Sequence, residues 1–175
     1  MQKLYCYVDE TGQDTGGALF SVCSTLLAIE RESRKRNKWQ KTDDTVKLAF
    51  LNALLSRKSL LYHRIFIQHF FDTKNYVAST AEAIERSIRA AGRIDCPALI
   101  YIDGLRKHEV GDAAVRLRAR GVRTEKVKGV RKDENNAFIR LSDAVAGFVR
   151  DYLEGQDYAR KYFRELIASN VITET

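Results

Sequence analysis

Four acidic residues stand where a chain can do chemistry with them. Asp9 and Glu10 close the apolar run Tyr5-Cys6-Tyr7-Val8 and are followed by Thr11 and Gly12. Asp103 closes a second run, Ala98-Leu99-Ile100-Tyr101-Ile102, and is followed by Gly104. Asp143 lies far downstream, inside an apolar stretch. Three aspartates drawn from a first strand, a later strand and a final helix suit cation binding better than acid–base exchange. An all-oxygen ligand set of Asp9, Asp103 and Asp143 points to Mg2+ or Mn2+. Two such ions about 4 Å apart would activate a water and stabilise the leaving oxygen in phosphodiester cleavage. Glu10 is the fourth candidate acid.

These acids need elements to hold them at one place. Tyr, Cys and Val suit a pleated, half-buried surface, so residues 3–9 read as a first strand. Residues 18–29 follow after a glycine-containing turn and read as a second strand, hairpinned to the first. Leu60–Phe71 reads as a third strand, and residues 74–92 as a helix with apolar positions 77, 81, 84, 88 and 91. Residues 96–103 form a strand, 110–120 a helix, and 122–130 a polar strand suited to a sheet edge. Residues 134–153 form the last long helix, with Asp133 as its expected N-cap, and a short helix covers about 156–168. A helical insertion of about 30–58 follows the second strand, capped by Asp43 or Asp44. The order predicts a single α/β domain over 1–175 with a mixed five-stranded sheet. The first three strands form an antiparallel meander and the last two join as parallel neighbours through right-handed crossovers. Asp9 and Asp103 would then emerge at one carboxyl edge, where sheets of this kind bind ligands.

On the last long helix, residues at about 100° intervals place Phe138, Leu141, Val145, Phe148, Val149 and Tyr152 on one broad face. Asn136, Arg140, Asp143 and Gly147 form a narrow polar or small stripe. A carboxylate in so apolar a helix needs a partner: a metal ion, Arg140, or solvent. Gly147 favours the first, because a helix-interior glycine costs about 1 kcal/mol against alanine and suits close approach to a sheet edge or ligand. Glu82 and Glu85 are further acids, read mainly as an exposed ion-pair face. His63 and His69 would share a strand face, but no third ligand stands at metal-like spacing.

The formal charge is +7, which favours anionic partners, nucleic acid first. Between Gly104 and Arg140, eleven Lys and Arg face five acids, so +6 of that charge lies in one segment. Lys128, Lys132 and Arg140 from this segment, with Lys38 from the basic run 31–41, are the candidate phosphate contacts. Trp39, in that run, either stacks on a base or anchors the insertion. Cys6, Cys23 and Cys96 form no disulfide or zinc pattern and read as core thiols in a reducing compartment. No run approaches the ~18 apolar residues of a membrane span, and no signal-peptide pattern opens the chain. A cytoplasmic location is expected.

With these residues in view, the chain resembles the RNase H-like nucleases, in element order and in acids at the ends of the first and fourth strands and on the final helix. It is more closely similar to the uncharacterised domain-of-unknown-function family 3800. The matching segments are Tyr7-Val8-Asp9-Glu10-Thr11-Gly12, Ile100-Tyr101-Ile102-Asp103-Gly104 and Ile139-Arg140-Leu141-Ser142-Asp143-Ala144-Val145-Ala146-Gly147. Ser142 stands where that family usually has Ala, and Arg36-Asn37-Lys38-Trp39 keeps a Lys and an aromatic but replaces an acid. The resemblance implies a metal-dependent nuclease-like fold. The expected function is metal-dependent phosphodiester hydrolysis of DNA or RNA. The alternative is an inactive nucleic-acid-binding or protein-interaction module of a defence or mobile-element system.

Overall fold

The first strand, β1 (Leu4–Thr11), is the centre from which the sheet grows. A computed structural model describes residues 3–16, 18–27, 39, 42–130 and 136–175. β1 runs through a turn at Gln13–Thr15 into β2 (Leu19–Leu27), pairing antiparallel from Tyr5–Leu27 to Thr11–Ser21. Gly12 makes that turn possible. Its φ is +93°, and a Cβ there would sit 2.2 Å from the Leu19 carbonyl oxygen.

β3 (Ile65–Phe71) adds antiparallel to β2. β4 (Ala98–Asp103) lies parallel to β1 on its other side, and β5 (Thr124–Val130) parallel to β4 at the edge. The antiparallel meander, the parallel neighbours and the polar edge strand are as the sequence predicts. Among the described residues the sheet has six strands, however, not five. β6 (Ile172–Glu174) pairs parallel with Ile65–Ile67, giving the order β5-β4-β1-β2-β3-β6. Three residues are too few to show a strand period. Their hydrogen bonds come from the otherwise open edge of β3, and Val171 and Ile172 are buried beneath.

Helices cover both faces. Between β2 and β3 come α1 (Asp44–Ser56), whose N-cap Asp43 accepts from the Thr45 amide, and the short α2 (Lys58–Leu61). The third strand therefore begins at Ile65 rather than Leu60. Leu60 and Tyr62 are exposed, and His63 takes a positive φ of 49° with its amide bonded to the Asn170 carbonyl. The apolar run from Leu60 is thus split by a turn, and His63 shares no strand face with His69. His69 instead meets the Ser21 hydroxyl and Glu174.

One layer consists of α3 (Tyr76–Ala90) and α4 (Lys107–Ala119) against Leu4, Cys6, Val8, Ile100 and Ile102. On the opposite face, α5 (Ala137–Leu153) lies across β1 and β2, with α6 (Asp157–Ala168) and α1 outside it. Cys6 and Cys23 are buried free thiols, whereas Cys96 is half-buried in the turn before β4. Among the described residues no helix is long and apolar enough to cross a membrane.

Candidate functional site

Alternation along β1 decides which carboxylates can meet. Cys6 and Val8 enter the α3–α4 layer, while Tyr5 and Tyr7 face α5. Asp9 follows Tyr7 to the α5 side. On β4, Tyr101 stacks on Tyr7 with ring centroids 5.3 Å apart, so Asp103, two residues on, also faces α5. Val8 is opposite Ile102 in the parallel register, which sets Asp9 and Asp103 level at the carboxyl edge.

The third acid is placed by a polar clamp one residue before it. The fully buried Ser142 hydroxyl lies 3.0 Å from the Tyr7 carbonyl, 3.1 Å from the Phe138 carbonyl and 2.9 Å from the Thr25 hydroxyl. With Phe138 against Tyr7 at 5.1 Å, this fixes α5 over β1 and presents Asp143 beside Asp9. Asn136 starts the helix, its side-chain oxygen accepting from the Phe138 and Ile139 amides. Asp133, the expected cap, lies outside the described residues. The Ser142 hydroxyl therefore has a positive structural use.

Burial pushes the Asp9 carboxyl well above the usual carboxylate range, and Asp143, Asp103 and Glu10 push it further by repulsion. Glu10 leaves the strand on the other face. Desolvation and then the charge of Asp103 raise it to about 8, with Glu109 of α4 a lesser contributor. One Glu10 oxygen accepts from Gln13 Nε2 at 2.8 Å; the other, Oε2, is shielded and has no hydrogen-bond partner among the described residues. Asp9 stands between two clefts. One of ≈ 460 Å³ includes Glu10, Asp14, Asp103 and Arg150, and one of ≈ 160 Å³ includes Glu10, Trp39, Asp143 and Gly147.

This donor set fits a hard divalent cation: the side chains are carboxylates, and the mutual repulsion that adds to burial in raising Asp9 and Glu10 is negative charge that a cation would relieve. Among the described residues no three His, Cys, Asp or Glu side chains are already drawn to ligating distance. Asp103 and Asp143 flank Asp9 in different clefts instead of closing on one point.

Trp39 is not a stacking platform. It is 5% exposed, donates through Nε1 to Asp151 Oδ2 at 2.9 Å, and packs edge-on against Phe50 and Phe148. The same Asp151 oxygen accepts from Lys47 and Tyr158. Gly147 is the reason the indole fits. A Cβ there would lie 2.5 Å from Trp39 Cδ1, so the glycine makes room for a side chain. Trp39 thereby walls the cleft next to Asp143.

The basic residues are more scattered than their clustering in sequence implies. Lys128 is exposed on β5 opposite Tyr101, on the face that carries Asp103. Arg140 sits half-buried one turn before Asp143. Arg116, Arg118, Arg120 and Arg123 lie at the end of α4 and before β5, at the sheet edge opposite the acids; Arg116 pairs with Asp112 and Arg120 with Glu82. Lys38 and Lys132 lie outside the described residues, as does most of the basic run 31–41. Glu82 also pairs with Arg86, and Glu85 with Arg89, which commits both to ion pairs on α3.

Sequence reasoning overlooked Arg150. It lies seven residues after Asp143, on the same helical side, and lines the larger cleft. Extending the Asn136–Gly147 stripe by three residues reaches it. No family model matches the chain, and no curated protein matches it.

Proposed function

We propose that this protein is a metal-dependent nuclease of the RNase H-like kind, hydrolysing phosphodiester bonds in DNA or RNA. The observation that carries this reading is the placing of Asp103 level with Asp9, and of Asp143 beside Asp9, on the α5 side of the sheet's carboxyl edge. The meander of β1–β3, the parallel β4 and β5, and a helix laid across β1 support the reading.

Asp9, Asp103 and Asp143 would hold Mg2+ or Mn2+. Ions bound there would supply Lewis acidity to the scissile phosphate and acidify an attacking water. Asp9, level with Asp103 and beside Asp143, lines both clefts and would be the ligand that links the other two aspartates. Glu10, whose carboxyl is raised to about 8 by burial and Asp103, would add a fourth carboxylate to the set on giving up its proton. Lys128 and Arg140 would hold the nucleic-acid backbone beside the acids, and this part of the binding should weaken with salt.

One observation favours the second reading, a nucleic-acid-binding or protein-interaction module without catalysis. Among the described residues the carboxylates are not closed on a single ligating point. Incubating single- and double-stranded DNA, RNA and an RNA–DNA hybrid with the protein in Mn2+, Mg2+ or EDTA separates the two. Cleavage of at least one substrate in Mn2+ or Mg2+, and of none in EDTA, is expected. Salt-sensitive binding without cleavage would select the binding module. Neither binding nor cleavage would overturn both nucleic-acid readings.

A further inference from the structure

We infer that Arg150 is a phosphodiester-binding residue of the carboxylate cleft, and that the Asp14 carboxylate is its internal occupant, displaced when a nucleic-acid strand enters. This rests on the nucleic-acid reading above and adds a binding residue and an exchange step to it.

Arg150 presents a complete fork to Asp14. Nη1 donates to Oδ1 at 2.9 Å and Nη2 to Oδ2 at 2.8 Å. This two-point geometry is the one by which guanidinium recognises either a carboxylate or a phosphate. Both residues line the ≈ 460 Å³ cleft with Asp9, Glu10 and Asp103. The remaining nitrogen, Nε, donates to Glu154 Oε1 at 2.6 Å. Glu154 is therefore the positioning residue that would keep the guanidinium aimed at the cleft after Asp14 leaves. Along the helix Arg150 is about 10 Å from Asp143. It stands beside the acids and would take a phosphate flanking the one cleaved.

The two sides of this pair are held differently. Arg150 has a side-chain exposure of 20%, Asp14 of 63%. Asp14 sits on the turn between β1 and β2. The Thr15 hydroxyl fastens that turn to the Gly12 carbonyl at 2.7 Å and the Leu19 amide at 3.0 Å, and Gln13 is tied to Glu10. Exchange then needs only rotation of an exposed aspartate side chain, with the turn left in place. An exposed carboxylate is a weak competitor for such a site, whereas a strand that also engages Lys128 and Arg140 is a strong one.

The test is fluorescence anisotropy of short labelled single-stranded DNA and RNA in calcium buffer, with wild type, Asp14→Asn, Arg150→Lys and the double variant. Asp14→Asn should tighten binding by roughly 3–10-fold, since it removes the competing charge. Arg150→Lys should weaken it by about 5-fold or more, since an ammonium cannot make the fork. In the double variant the gain from Asp14→Asn should disappear, because the two effects share one site. A purely structural latch would give no gain from Asp14→Asn. Wild-type binding that Asp14→Asn leaves unchanged or weaker, or that Arg150→Lys leaves intact, would overturn the inference alone. Absence of any wild-type binding would overturn the nucleic-acid reading with it.

Discussion

Asp103→Asn is expected to lower metal-dependent cleavage by at least about 10²-fold while making the metal-free protein more stable. Changes to groups that merely support a metal ligand cost about 10–100-fold, and loss of a ligand charge should equal or exceed that. Asparagine keeps the volume of the side chain and one oxygen. The stability gain follows from the charge removed: Asp103 raises both Asp9 and Glu10. A carboxyl whose folded value is raised holds protons that the unfolded chain has released. For Glu10 that window runs from its ordinary value of 4.5 to about 8, and stability must fall as pH rises through it. In EDTA, wild-type thermal stability should therefore decline between those limits. The variant should decline less and melt higher at the alkaline end, with each 1 kcal/mol appearing as about 2–4 °C. A variant that melts lower than wild type at the alkaline end would contradict the repulsive account of the cluster.

Trp39→Ala is expected to cost about 3–5 kcal/mol in urea denaturation. That is a large share of a stability of roughly 5–15 kcal/mol. The indole is buried among Phe50, Phe148 and α5, and among the described residues Asp151 would keep Lys47 and Tyr158 as donors. Its partner is diagnostic. Gly147→Ala in the wild type forces a Cβ to within 2.5 Å of the ring. The overpacking costs about 1–3 kcal/mol, more than the ~1 kcal/mol of helix propensity recovered. With Trp39 already replaced by alanine, the same change should become stabilising. Equal destabilisation in both backgrounds would mean that Gly147 is required for something other than the tryptophan.

The parts of the fold legible in the sequence are those whose burial repeats over several residues. Tyr5–Asp9 and Ala98–Asp103 carry strand composition, and their shared ending gave the level placement of Asp9 and Asp103. The stripe on α5 marked Asp143 because an acid between two apolar faces is conspicuous. Glu10 was harder to place. Being adjacent to Asp9 in sequence puts it on the opposite face of a pleated strand. Gly147 signalled close approach correctly, but what approaches is Trp39, contributed more than a hundred residues earlier and invisible to local pattern. β6 escaped because three residues against an open edge have no period of their own. The basic segment 104–140 looked like one patch only because sequence does not show that α4 carries Arg116, Arg118 and Arg120 to the far edge of the sheet. Arg150 carried a helical-spacing signal, but its fork with Asp14 depends on a turn at the other end of the chain.

The central claim is that Asp9, Asp103 and Asp143 form a divalent-cation site, and calorimetric titration of Mn2+ into the metal-free protein tests it without relying on turnover. Wild type should bind Mn2+ with release of protons, because ligation requires the raised carboxyls of Asp9 and Glu10 to ionise. Asp9→Asn should weaken that binding at least about 10-fold, since even a supporting group is worth that much. Mn2+ binding that Asp9→Asn leaves unchanged, or no binding to wild type at millimolar ion, would contradict the claim.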